Sequence, residues 1–416
     1  MSDFEVHLSR DGRDLLVGRA RSNVARGRET VLFEYADEWL EAEDRFPLAP
    51  DLPLTRGGFP PPAGLAIHAA LGDSAPDSWG RRLMQRAERR RSEREGRALR
   101  TLMESDYLLG VSDETRLGGL RFRRAGEEAF LARSDTGVPA LLALGRLLES
   151  TERILRNEET DEDLRMIFAP GSSLGGARPK ASVIDSRGRL SIAKFPKESD
   201  EYSIETWEEV ALRLAERAGV TTAGHELIRV GGKAVLLSRR FDREEGRRIP
   251  FLSAMAMLGA RDGGTGSYPE MVDLLSAHGA QARSDAHELY RRVVFNVLIS
   301  NVDDHLRNHG FLRPDQGGWV LSPAYDLNPV PTDLKARVLT TNIDLEEATC
   351  SIALLEESAG YFALSLANAR TIITEVARVT ATWRSVAREV GADPAEMDRM
   401  ASAFEHDDLK QARSYT

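Results

Sequence analysis

The 416-residue chain carries one cysteine, Cys350. A single thiol excludes an intrachain disulfide, and a structural zinc centre would have to be built from other ligands. No segment approaches the apolar length needed to cross a bilayer. The opening Met1-Ser2-Asp3-Phe4-Glu5 also lacks the basic stretch and apolar run of a secretory leader, so a cytoplasmic protein with no membrane partner is expected. Positive charge is short too. With 56 Lys and Arg against 66 Asp and Glu the net charge is -10, which argues against general affinity for nucleic acid, because phosphate backbones are bound mainly through clustered Lys and Arg.

The rest of the composition is that of an ordinary globular protein, 41% hydrophobic and 29% charged. The length exceeds what one core usually supports, so two or three packed units are expected. Residues 4 to 35 read as short strands broken at Asp11-Gly12 and Arg26-Gly27. A helix follows from Pro76 and runs into the charge-rich stretch Arg86 to Arg100, whose plain reading is a solvated helix face. A further helix, Val138 to Leu155, closes a first part.

The next part holds the loop Gly171-Ser172-Ser173-Leu174-Gly175-Gly176-Ala177-Arg178-Pro179-Lys180. It matches neither the Walker pattern nor G-x-G-x-x-G, and alone its plainer reading is a surface turn. Small residues let backbone amides approach phosphate oxygens, to which Arg178 or Lys180 could add charge. A hairpin through Ser186-Arg187-Gly188-Arg189 puts Lys194 on the return strand. Such a lysine suits phosphate contact if a carboxylate from the next helix orients it. Glu208 is the choice, with Glu205 and Glu209 as competitors. That helix spans residues 204 to 218, with Ser203 available as its N-cap.

From residue 250 the pattern is mostly helical. A helix capped by Ser284 delivers the chain to Asn301-Val302-Asp303-Asp304-His305-Leu306-Arg307-Asn308, and a predicted hairpin separates this stretch from Asp326. An aspartate, an asparagine five positions on, and a second aspartate beyond a hairpin is the order in which protein kinases set out their phosphoryl-transfer groups. On that reading Asp303 takes or orients the acceptor hydroxyl's proton, while Asn308 and Asp326 hold magnesium. A competing reading makes His305 and His309 metal ligands of a hydrolase, which requires a helical segment there.

These segments resemble the HipA family of serine/threonine kinase toxins, through Ser172 to Lys180, Asn301 to Gly310 and Leu321 to Asp326, with Pro76 to Arg82 similar to part of its N-terminal subdomain. The resemblance implies an α+β, protein-kinase-like two-lobed fold with an extra N-terminal β-rich subdomain, a nucleotide cleft between lobes and an all-helical C-terminal lobe. Domains are expected at 1–155, 156–245 and 246–416. It implies ATP and Mg2+ as cofactors, Asp303 as catalytic base, Asn308 and Asp326 as metal ligands, and Lys194 as the phosphate-contacting lysine. Ser173, Leu174, Gly175, Gly176 and Ala177 would meet the nucleotide, together with Arg239 and Phe241 of a hinge-like segment, His305 and Tyr325. Autophosphorylation is implied at Ser173, with Ser172 second. The implied partners are a small helix-turn-helix antitoxin, HipB-like, and a protein substrate that is an aminoacyl-tRNA synthetase, with DNA reached through the antitoxin. A small-molecule kinase on the same scaffold and a catalytically silent corepressor are the alternatives.

Overall fold

The computed structural model describes residues 2–10, 12–132, 137–168, 176–314 and 317–415. They form two compact units, one of residues 1–197, 230–233 and 237–261, the other of 198–229, 234–236 and 262–416.

The first unit opens on a meander of β1 (Ser2–Arg10), β2 (Arg13–Ala25) and β3 (Arg28–Tyr35). The alternation along β3 explains its pose, with Val31, Phe33 and Tyr35 buried while Thr30 and Glu34 face out. Arg26 and Gly27 both adopt positive φ, 52° and 75°, the two-residue turn whose twist suits a hairpin. With β4 (Gly58–Phe59) and β5 (Leu120–Arg124) the sheet has the order β4-β3-β2-β1-β5.

Helix α1 (Ser78–Glu95) begins where Asp77 Oδ1 accepts the Gly80 N–H at 2.8 Å, and it ends at Gly96 in the left-handed region. The arginines of the charge-rich stretch are largely spoken for. Arg86 meets Glu159 at 2.8 Å, Arg91 meets Glu95 at 2.8 Å, Arg97 meets Glu88 at 2.7 Å and Arg100 meets Asp106 at 3.0 Å. The stretch is therefore an ion-paired, solvated face, as its plain reading held.

Helix α2 (Leu144–Arg156) starts later than the Val138 expected from the pattern. The intervening residues serve a strand edge instead, since Ile184 donates its N–H to the Pro139 carbonyl at 2.8 Å. After α3 (Asp161–Phe168), strands β6 (Lys180–Ile184) and β7 (Leu190–Lys194) form the expected hairpin, with Lys180 opposite Lys194.

In the second unit α4 (Ile204–Arg217) buries Trp207, Val210, Ala211, Leu214 and Ala215 on one face. Ser203 occupies its N-cap position, but its hydroxyl lies 2.7 Å from Thr206 Oγ1 rather than on a main-chain N–H. Strands β8 (His225–Val230) and β9 (Lys233–Arg239) follow in sequence. Helices α5 (Tyr268–His278) and α6 (Ala282–Leu298) then lead to the motif. Ser284 does not cap α6. It lies inside the first turn, where its hydroxyl donates to the Gln281 carbonyl at 3.0 Å, and the helix has already begun at Ala282.

The hairpin of β10 (Gly310–Leu312) and β11 (Val320–Leu321) comes next. After a largely irregular stretch, the C-terminal end is helical: α7 (Leu366–Thr380), α8 (Trp383–Val390), α9 (Pro394–Phe404) and α10 (Asp407–Ser414). Trp383 stacks on Phe404 with ring centres 4.7 Å apart, and Trp207 packs beside both. Among the described residues no helix is long and apolar enough to cross a membrane.

Candidate active site

Helix α6 delivers the Asn301–Asn308 loop with its polar groups already sorted by burial. Ser300 takes a positive φ of 54°, and its hydroxyl donates to the Ala403 carbonyl at 2.8 Å. Beyond it Asn301 donates to Asn296 Oδ1 at 3.0 Å, Asn296 donates to the Tyr268 hydroxyl at 2.9 Å, and that hydroxyl donates to Asp304 Oδ2. Burial, the Asp304 charge and the bond to it raise the Tyr268 phenol far above its ordinary range, so it remains a donor. Asp304 is 1% exposed, and the His309 Nε2 lies 2.7 Å from its Oδ1.

The two adjacent aspartates thus have opposite environments. Asp304 is a buried brace, whereas the Asp303 side chain is 59% exposed and meets Lys335 Nζ at 3.5 Å. Only Asp303 presents a carboxylate to solvent, as a proton acceptor for a bound hydroxyl must.

Asn308 closes the loop. Its Nδ2 donates to the Asp303 carbonyl at 3.1 Å, and its main-chain N–H donates to the His305 carbonyl at 2.8 Å. Only the amide nitrogen can donate to a carbonyl, so the orientation of the side chain is fixed and Oδ1 points elsewhere. That oxygen is buried and has no hydrogen-bond partner among the described residues. An orphaned amide oxygen is costly unless something accepts its lone pairs, and a hard cation such as Mg2+ takes such oxygens.

The hairpin brings the second acidic position back to the loop. The Tyr325 hydroxyl donates to the Arg307 carbonyl at 2.7 Å, so the residues immediately preceding Asp326 and Asn308 are held together. Asp326 itself has φ of 54°, a left-handed conformation that costs a non-glycine residue roughly 1–2 kcal/mol. It is maintained by main-chain bonds on the approach, Ala324 N–H to the Thr221 carbonyl at 2.8 Å and Ala223 N–H to the Ala324 carbonyl at 2.9 Å. The donor set of Asn308 and Asp326 fits a magnesium ion shared with nucleotide phosphates.

The hydrolase alternative loses its basis here. Only a three-residue 3-10 turn, Leu306–Asn308, separates His305 from His309, so the two rings do not share a helical face. Among the described residues no three His, Cys, Asp or Glu side chains are grouped to hold a metal. His309 instead faces Asp304.

Of the three candidate glutamates on α4, Glu209 is committed elsewhere. It meets Arg213 at 2.6 Å and His225 Nδ1 at 2.7 Å. Burial pushes the Glu209 carboxyl up, but His225 and Arg213 outweigh it and hold it below its ordinary range. Glu205 and Glu208 are both buried.

In the first unit Lys194 is buried at the end of β7. Lys180, offered by the sequence as a charge for phosphate, serves another purpose. Its ammonium pairs with Asp77 Oδ2 at 2.9 Å, and both side chains are 3% exposed. It ties β6 to the start of α1, where Trp79 Nε1 also donates to the Lys180 carbonyl at 3.1 Å. Gly176 has φ of 107°, and Ala177 accepts from Arg82 through its carbonyl. Ser172, Ser173, Leu174 and Gly175 lie outside the described residues.

The hinge-like segment holds a fully buried ion pair that sequence reasoning missed. Arg239 is exposed and lines a cavity of about 660 Å³ with Ile184 and Leu190, while the Phe241 ring packs 6.1 Å from that of Phe251. Between them Arg240 donates to Asp242 Oδ1 at 2.6 Å and to the Thr115 carbonyl at 2.8 Å. Burial acts to raise the Asp242 carboxyl, yet Arg240 and Arg243 hold it at about 2. Tyr268, Asn296 and Lys335 were missed as well. Asn296 was visible as a polar interruption of an apolar stripe, whereas nothing local marks Lys335.

Comparison with known proteins places this geometry. The model of the HipA-like C-terminal domain matches residues 172–383, and that of the HipA N-terminal domain matches 14–105. The serine/threonine-protein kinase toxin HipA of Shewanella oneidensis is 23% identical over 368 residues, covering 78% of this chain and 74% of that protein. An inferred kinase of Haemophilus influenzae is 22% identical over 196 residues, which span 41% of this chain and only 57% of that relative. Among solved structures, a chain of the Shewanella oneidensis complex of HipA, HipB and operator DNA aligns with a TM-score of 0.67 at 19% identity, over 99% of this chain and 96% of that one. The α+β, kinase-like fold with its β-rich N-terminal part and helical C-terminal lobe follows from that alignment. With the C-terminal model alone matching half of its residues, the chain belongs to the HipA family.

Proposed function

We propose that this chain is an ATP- and Mg2+-dependent serine/threonine protein kinase, acting as the toxin of a HipA/HipB-like toxin-antitoxin pair. The observation that carries the reading is an exposed carboxylate, Asp303, on the same short loop as an amide oxygen, Asn308 Oδ1, that has no hydrogen-bond partner among the described residues. Asp303 accepts the proton of the acceptor hydroxyl, and Asn308 and Asp326 hold magnesium against the nucleotide phosphates. Magnesium, when bound, neutralises charge on those phosphates. Lys194 contacts phosphate, with Glu208 as the carboxylate of that apparatus. Gly176 and Ala177 belong to the nucleotide loop, and Arg239, Phe241, His305 and Tyr325 line the nucleotide's surroundings.

The protein substrate is an aminoacyl-tRNA synthetase and the partner a small helix-turn-helix antitoxin, through which DNA is reached. The Shewanella complex of HipA, HipB and operator DNA supports that partnership. Autophosphorylation at Ser173, or secondarily Ser172, silences the enzyme, since about two negative charges are added where nucleotide phosphates bind.

Labelled ATP and magnesium, with and without a cell lysate, test the activity. Label on a protein band that vanishes with Asp303→Ala supports it, and label confined to metabolites sinks the protein-kinase reading in favour of a small-molecule kinase. Intact mass before and after phosphatase treatment, compared with Ser173→Ala, tests the regulatory serine.

A further inference from the structure

Lys335 lies 29 residues beyond Leu306 in sequence yet places its Nζ 3.5 Å from Asp303 Oδ1, with side chains 56% and 59% exposed. Among the described residues no other cation pairs with that carboxylate. The loop's own arginine, Arg307, is turned to Asp262 at 3.1 Å. A pair this exposed contributes little to stability, so stability does not account for the effort spent on positioning it.

That positioning comes from both sides. Ahead of Lys335, Thr332 donates its N–H to Ser402 Oγ at 3.1 Å, Asp333 meets Arg399 at 3.1 Å, and the Leu334 N–H closes a turn on the Pro331 carbonyl at 3.0 Å. Behind it, the Arg337 guanidinium donates to Ser300 Oγ at 3.0 Å and to the Val297 carbonyl at 2.9 Å, and pairs with Asp408. The backbone is anchored while the four-carbon side chain keeps its freedom.

We propose that Lys335 is a further catalytic residue, whose ammonium leaves Asp303 when nucleotide binds and contacts the oxygens of the phosphoryl group in transit. The proposal rests on the kinase reading above. In the step, the acceptor hydroxyl oxygen forms a bond to the γ-phosphorus as the bond from that phosphorus to the β–γ bridging oxygen breaks. The electron pair of the broken bond stays on the bridging oxygen of ADP, and the hydroxyl proton passes to Asp303. Charge is spread over the three equatorial oxygens of the moving group, where a positioned cation stabilises it more than it stabilises the ground state.

The test compares the full chain with Lys335→Ala and Lys335→Arg. Thermal shifts are measured with ADP and magnesium, with and without aluminium fluoride as a mimic of the moving phosphoryl group, alongside steady-state kinetics across pH. Lys335→Ala is expected to keep the ADP and magnesium shift, lose the increment from aluminium fluoride, and lower kcat about 100-fold with KM for ATP within about twofold. Lys335→Arg is expected to recover part of both. A Lys335→Ala protein with the wild-type increment and kcat overturns the proposal. So does a loss of activity that appears only as a displaced acidic limb of the pH profile, which would make Lys335 a positioning group for Asp303. If wild type transfers no phosphoryl group to any acceptor, the kinase reading fails first and takes this one with it.

Discussion

Tyr325 donates its hydroxyl to the main-chain carbonyl of Arg307 at 2.7 Å. This bond joins the two stretches of chain that carry Asn308 and Asp326, 18 residues apart in sequence (326 − 308). The proposed metal site draws on both stretches, and the first prediction concerns its charge. Asp326→Asn keeps a residue type that tolerates positive φ but removes the anion. It should abolish the extra thermal stabilisation that magnesium gives to bound ATP, with little change in the melting temperature of the free protein. Asn308→Ala should do the same. Undiminished stabilisation by ATP with magnesium in both variants would refute the metal role.

Tyr268 is buried between Asn296 and Asp304 and serves both. Tyr268→Phe removes one oxygen and leaves a buried amide donor and a buried carboxylate short of a partner, a loss of about 1–3 kcal/mol. Urea unfolding measures it. Phosphoryl transfer should fall as well, because Asp304 holds the loop from which Asp303 projects. A variant as stable as wild type would show that the chain of polar groups is not coupled.

Asp77 both caps α1 and neutralises the buried Lys180. Asp77→Ala takes the paired carboxylate from a buried ammonium, which should cost about 3–5 kcal/mol. In the double variant Asp77→Ala, Lys180→Met most of that loss should be recovered, leaving about 1 kcal/mol for the missing cap. Equal destabilisation of single and double variants would assign the whole effect to the cap.

His225 lies between Glu209 and Glu216, at 2.7 and 3.3 Å. Burial acts to lower its pKa, but the bond and charge from Glu209, with Glu216 adding, raise it above the ordinary 6.5. Its contribution is therefore fully present below pH 6.5 and is lost as pH rises through the raised folded value. Glu209 has the opposite sign, contributing above 4.5 and losing that contribution as pH falls through its lowered folded value. The stability gap between wild type and His225→Gln should be widest near pH 6 and narrow steadily toward pH 9 in denaturant titrations. A gap independent of pH would remove the ion pair as its source.

Much of this protein is decided by local pattern. The alternation of Val31, Phe33 and Tyr35 and the Arg26-Gly27 turn set the first meander, because side-chain period and turn chemistry are properties of a few adjacent residues. The β6–β7 hairpin and the apolar stripe of α4 are legible for the same reason. Order and spacing along one stretch of chain also name Asp303, Asn308 and Asp326 as the candidates for the proposed site.

Choices between chemically equal residues were not legible. Asp303 and Asp304 are neighbours of one type, and only the approach of Tyr268 from a distant helix makes one a buried brace and leaves the other to solvent. Glu209, on α4, is withdrawn from its two rivals by His225 of β8. Lys180 became a buried counterion to Asp77, 103 residues away, and Lys335 reached Asp303 across 32. Burial and charge pairing arise from contacts between segments far apart in sequence. Residue type and spacing can name the candidates for each role, but the packing that surrounds them decides which carboxylate is exposed, and which cation is spent on holding the fold together.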